Sequence, residues 1–203
     1  MNKFFSALAM VVVAEIIALP VTASAGSNFV IKAQSTGIGF NQVNAECTST
    51  SYSSTMNIQQ NMYGDTYVYM TFAYAVTDTC SGRQVSSGYA SITPDFYGIN
   101  GIYTAAWSGN VSVKVCPSNP ESDCSDLKLY VIASESATSD VGTSVYNSRT
   151  TTPGGEKYAS RQRSTYRNAV GSLKIIDVNL GGVFASGTGS GFLQKTTTKN
   201  RSK

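Results

Sequence analysis

A disulfide-stapled all-β domain is the fold class this sequence predicts: an antiparallel β-sandwich, immunoglobulin-like or jelly-roll-like. Three observations carry that expectation. Serine, threonine, tyrosine, valine and glycine dominate, and long runs of Leu, Glu and Lys that would favour helix are absent. Several short segments alternate apolar and polar residues with a period of two, separated by turn residues. Four cysteines and no histidine follow an export-type N-terminus.

That N-terminus opens with Met1-Asn2-Lys3, runs apolar from Phe4 to Val21 and reaches the small-residue triplet Ala23-Ser24-Ala25. Residues 1–25 therefore read as a signal peptide, which places the chain outside the cytoplasm: secreted, periplasmic or on the cell surface. No later apolar run approaches the ~20 residues that span a bilayer as a helix, so no transmembrane span is expected after cleavage.

The first strand candidates are Phe29–Ala33 and Tyr52–Ile58. The clearest strand is Thr66–Val76, with Val68, Met70, Phe72, Tyr74 and Val76 on one face and Tyr67 and Tyr69 on the other. Turn residues 61–65 precede it, and Ser81-Gly82 follows before Val85–Ile92 returns as its hairpin partner. Asn110–Cys116 alternates Val111, Val113 and Val115 against Ser112 and Lys114. Leu127–Ala133 follows the Pro117–Pro120 turn, and Leu173–Val178 and Val183–Ala185 complete seven or eight strands.

Residues 134–155 are poor in large apolar groups and read as a long polar loop. Glu156–Val170 fits either a short helix or a polar edge strand. Residues 26–194 read as one domain, and residues 195–203 as a basic flexible tail.

Proximity pairs Cys116 with Cys124 and leaves Cys47 for Cys80. A four-thiolate zinc site is the rival, but it wants cysteines two to four residues apart, and none is so spaced. The absent histidine removes the commonest general base and the commonest metal ligand, and with them Ser-His-Asp catalysis. No cofactor is expected. Most acidic residues sit beside turns, where carboxylates cap backbone N–H groups. Glu121, Asp123 and Asp126 form the one candidate Ca²⁺ cluster, without the glycine and closing glutamate of an EF-hand loop. Gly187-Thr188-Gly189-Ser190-Gly191 lacks the Gly-Lys-Ser/Thr ending of a phosphate loop and reads as a flexible segment or as a place where strands approach closely.

Charge is distributed unevenly. Residues 26–155 hold five basic and nine acidic residues, net −4, and residues 156–203 hold nine basic and two acidic, net +7. Arg161, Arg163 and Arg167, interleaved with Tyr158 and Tyr166, and the tail with Lys199, Arg201 and Lys203 are candidate contacts for an acidic partner. Tyr67 and Tyr69 form a second candidate contact, suited to a sugar ring or a protein interface.

The expected function is that of a non-enzymatic structural or adhesion protein. It would act by protein–protein contact with itself or another surface protein, or on an acidic glycan; nucleic acid is not an expected partner. A carbohydrate-binding module working through tyrosines is the nearest rival. A small secreted hydrolase using carboxylates or serine is the third reading.

Overall fold

A computed structural model of the chain describes residues 28–119 and 122–202. The signal-peptide reading of residues 1–25 falls outside them. The described residues form an all-β, antiparallel fold with two disulfides. Ten strands follow one another: β1 Asn28–Ala45, β2 Thr48–Gln60, β3 Thr66–Asp78, β4 Arg83–Ile92, β5 Phe96–Asn100, β6 Thr104–Pro117, β7 Ser125–Ala137, β8 Gly142–Thr151, β9 Lys157–Asp177 and β10 Val183–Ser202.

All ten belong to one sheet, ordered β10-β1-β2-β3-β4-β6-β7-β9-β8, with β5 on β6. Because β9 also pairs with β10, eight strands close a hydrogen-bonded ring from β10 through β1, β2, β3, β4, β6, β7 and β9 back to β10. The antiparallel all-β class is as the sequence predicts; the pairing closes on itself instead of dividing into two sheets.

Side chains fill the inside of the ring. Along β3, Met70 and Phe72 are buried while Tyr67 is exposed, and along β6, Val111 and Val113 are buried between exposed Ser112 and Lys114. Leu129, Val131, Leu173, Ile175 and Leu193 complete the apolar filling. At its centre the fully buried Trp107 donates its Nε1–H to Ser54 Oγ at 2.7 Å, so the one polar atom of the indole is satisfied. Phe40, Tyr52 and Tyr74 pack in series, the first pair tilted and the second stacked, with ring centroids 5.1 and 6.4 Å apart. No described helix is long and apolar enough to cross a membrane.

Two segments differ from the sequence reading. Within residues 134–155, read as a loop, β7 continues to Ala137 and residues 142–151 form β8. Residues 195–202, read as a flexible tail, are the end of β10, paired with β9 on one side and β1 on the other. Both segments are polar on each face, so hydrogen bonding to neighbours orders them where apolar alternation does not. The ambiguous stretch before Val170 is strand: β9 runs unbroken for 21 residues.

Cys47 pairs with Cys80 and Cys116 with Cys124, as proximity predicts. The first bridge ties the β1–β2 turn to the β3–β4 turn, reinforced by Thr79 N–H donating to Cys47 O at 2.8 Å. Loop closure over 33 residues contributes about 3 to 4 kcal/mol, and over 8 residues about 2 to 3 kcal/mol. Cys47→Ser/Cys80→Ser is therefore expected to lower the urea midpoint more than Cys116→Ser/Cys124→Ser. Equal midpoints for the two double variants would contradict the loop-closure account.

Candidate functional site

The long strands β9, β10, β1, β2 and β3 outrun the closed ring at one end. There β9 changes partner: residues 169–177 pair with β7 and residues 157–166 with β8. The result is an open wall six strands wide, β8-β9-β10-β1-β2-β3, standing above the mouth of the ring. Direct antiparallel partners share a face, and alternate residues of a strand share it too. The buried Ala169, Leu193, Thr36 and Met56 mark the inner face, and counting by twos along each strand carries that face up the wall.

This count collects cations. On β9 it gives Lys157, Arg161, Arg163 and Arg167; on β10, Lys195, Lys199 and Arg201. Lys32 on β1 lies opposite Thr197 of β10, and Arg149 on β8 lies opposite Ala159 of β9. Arg161 and Lys199 are direct partners. All nine except the half-buried Arg167 are exposed. The Arg167 guanidinium donates to Ser139 O at 2.7 Å and lies 5.1 Å from the centre of the Tyr103 ring. Between the cations lie Thr143, Asn147, Thr165, Thr197, Gln34, Gln60 and a few aliphatic groups. Above the ring, over residues 30–34 of β1, 58–60 of β2, 66–68 of β3, 143–151 of β8, 157–167 of β9 and 193–201 of β10, no carboxylate and no aromatic ring shares the face.

Where the wall meets the mouth, a hollow of about 250 Å³ is lined by Lys32, Ala33, Gln34, Ile58, Gln60, Thr66 and Lys195. Gln34 reaches across the mouth to donate to Gly101 O in the β5–β6 turn. Deeper in the ring, inward from β7, sits Glu135. It is 3 % exposed, and neither carboxyl oxygen has a hydrogen-bond partner among the described residues. Burial pushes its carboxyl up to about 9, so the side chain is neutral at pH 7.

The candidates read from sequence now have places. Arg161, Arg163, Arg167, Lys199 and Arg201 come together on the basic face; Lys203 lies outside the described residues. Lys32, Arg149 and Lys157 join them from places with no local charge cluster, and Lys195 joins them from the start of the basic 195–203 stretch. Tyr158 and Tyr166, being even-numbered on β9, face the other side of the sheet from the odd-numbered arginines. Arginine and tyrosine therefore do not form one surface there.

Tyr67 and Tyr69 lie on the outside of β3. Tyr67 is 57 % exposed, whereas Tyr69 is half-buried, accepts from Gln59 Nε2 at 3.2 Å and has its phenol pKa raised by burial and by Tyr89. Of the candidate Ca²⁺ cluster, Glu121 lies outside the described residues, and Asp123 and Asp126 are exposed, with Asp126 directly opposite Lys114.

The remaining acids mostly serve turns. Asp78 accepts the N–H groups of Cys80 and Ser81, and the Ser81 side chain together with these N–H groups holds its carboxyl below the usual range. Asp95 accepts from Asn110, and Asp177 from the N–H groups of Asn179 and Leu180. Asp78 also lies beside Cys47 and Cys80, but both sulfurs are committed to their disulfide, which leaves no thiolate to bind a metal. No protein-family model, curated protein or solved structure matches the chain.

Proposed function

We propose that this chain is an exported, non-enzymatic contact protein, a surface or appendage component that holds an acidic partner against its basic face. One observation carries the reading: nine cations are gathered on one face of a hydrogen-bonded wall, and above the ring no carboxylate of the described strand segments shares it. Like charges at this density repel one another, so the arrangement costs stability unless a partner of opposite sign offsets it. The turn-capping carboxylates add support for binding over bond-making, because those groups are already committed to backbone N–H donors. Tyrosine-mediated sugar binding has less behind it, since Tyr69 is partly covered and Tyr67 stands alone at the wall's edge.

The test is to add the purified, disulfide-intact protein back to cells of the producing organism and to measure the bound fraction. Retention at low salt, release at high salt and loss of retention in Arg161→Gln/Arg163→Gln/Lys199→Gln are expected. Salt-insensitive retention, or a triple variant retained like the parent, would remove the basic face from the contact.

A further inference from the structure

We infer that the occupant of the basic face is a linear acidic polysaccharide, a chain of sugar units bearing carboxylate or sulfate groups. This rests on the contact reading above and narrows it to one chemical class. Same-face residues along a strand recur about every 6.6 to 6.8 Å, and neighbouring strands lie about 4.8 Å apart. The cations therefore form a two-dimensional grid. A polymer with a charge on each one or two sugar units can meet such a grid repeatedly, and Arg163 and Arg161 are suited to grip planar carboxylates with two parallel hydrogen bonds.

The neutral residues of the face point to sugar over a bare phosphate chain. Thr165, Thr197, Asn147 and Gln60 offer hydroxyls and amides between the charges, able to donate to and accept from sugar hydroxyls. At the mouth, two ammonium groups, Lys32 and Lys195, flank Gln34, Gln60 and Thr66 around a hollow that can take one sugar unit.

Two other polyanions fit less well. Single-stranded nucleic acid is held by aromatic platforms interleaved with cations, and Tyr158 and Tyr166 are on the opposite face. A second copy of the chain would have to present its acidic end, the turns that follow β1, β3, β6 and β9. The described carboxylates of that end are Glu46, Asp78, Asp123, Asp126 and Asp177, and two of them already cap their own turns. Arg83 and Lys128 stand among them, so that end cannot balance nine cations.

The test uses polygalacturonate and dextran sulfate as probes, neutral dextran as control, and isothermal titration at low and high salt. Both acidic polymers are expected to bind and the neutral one not. Arg161→Gln/Arg163→Gln/Lys199→Gln should weaken binding by at least about ten-fold, since each lost charge-assisted contact is a substantial share of the affinity. Lys114→Gln/Lys128→Gln/Lys174→Gln removes the same net charge from the outer surface and should change it less than about two-fold. Matched thermal unfolding of both triple variants and the parent shows that the comparison is between folded proteins.

Equal loss in the two triple variants would overturn the inference, as would no binding of either acidic polymer. Tighter binding of a single-stranded homopolymer DNA through the same residues, or salt-reversible self-association blocked by the first triple variant, would overturn it in favour of those partners. Cell retention that persists without polysaccharide binding would leave the contact reading standing and remove the polysaccharide alone.

Discussion

Stability is expected to fall as pH rises from about 5 to 9, and Glu135→Gln is expected to flatten that fall. Glu135 lies inside the ring with its carboxyl oxygens unpartnered, and its pKa is raised from 4.5 to about 9 by burial. The folded state therefore holds a proton that the unfolded chain releases near 4.5. The contribution of the neutral carboxyl is fully present below that value and is lost as pH climbs through the folded pKa. Over the window the limiting slope is about 1.4 kcal/mol per pH unit, and the whole change is on the order of 5 kcal/mol, a large share of a domain's stability.

The surroundings explain why ionisation is so unfavourable. Glu135 has Ala105 of β6 and Gly171 of β9 as its ladder neighbours, and its Oε2 packs against Gly191 of β10. The nearest inward cation along β9, Arg167, is turned onto Ser139 O and the Tyr103 ring. Urea unfolding of parent and Glu135→Gln at pH 5, 7 and 8.5 reads the effect directly. Parallel stability curves for the two proteins would show that Glu135 does not titrate across the window.

How much of this was legible before the fold was known depends on the period of each segment. The β3, β6 and β7 strands announce themselves because one side of each is apolar: Met70 and Phe72, Val111 and Val113, Leu129 and Val131. Extending the β7 count by one more step from Ala133 lands on Glu135, so its inward position was readable once the strand was allowed to continue. The wall was not readable, because β8 and the first half of β9 are polar on both faces and carry no period-two signal.

The excess of positive charge after residue 156 marked the region of the candidate site, but its membership is a matter of register. Lys32 lies far away in sequence, yet its strand is threaded beside β10. The separation of Tyr158 and Tyr166 from Arg161 and Arg163 follows from parity alone, and it becomes visible only when the segment is taken as strand instead of helix. Closure of the ring leaves no local mark at all, since the β7–β9 and β10–β1 ladders join segments with no shared turn.

The glycine run from Gly187 to Gly191 is the exception, a local signal of that closure, and it gives the second large effect. Gly189 is the direct partner of Gly171 across the β9–β10 ladder. A Cβ added at Gly189 would sit 2.0 Å from Gly39 O, and one added at Gly171 would sit 1.9 Å from Ser134 O. Both obstacles are backbone carbonyls on the neighbouring strands, β1 and β7, so no side-chain rotation relieves them. Neither glycine has a positive φ, so the requirement is for space and not for a left-handed backbone. Of the two sequence readings of this run, close strand approach is the one the geometry bears out.

Gly171→Ala and Gly189→Ala are each expected to cost about 3 kcal/mol or more, by forcing apart ladders that hold the ring shut. Gly182→Ala, where an added Cβ meets nothing within 4 Å, should stay within about 0.5 kcal/mol of the parent. Urea midpoints of all these proteins compared at the single pH of 5, where folded Glu135 keeps its proton, hold the titration contribution constant and so isolate the steric effect. A Gly189→Ala protein as stable as Gly182→Ala would mean that β1 and β10 do not approach as closely as the ring requires.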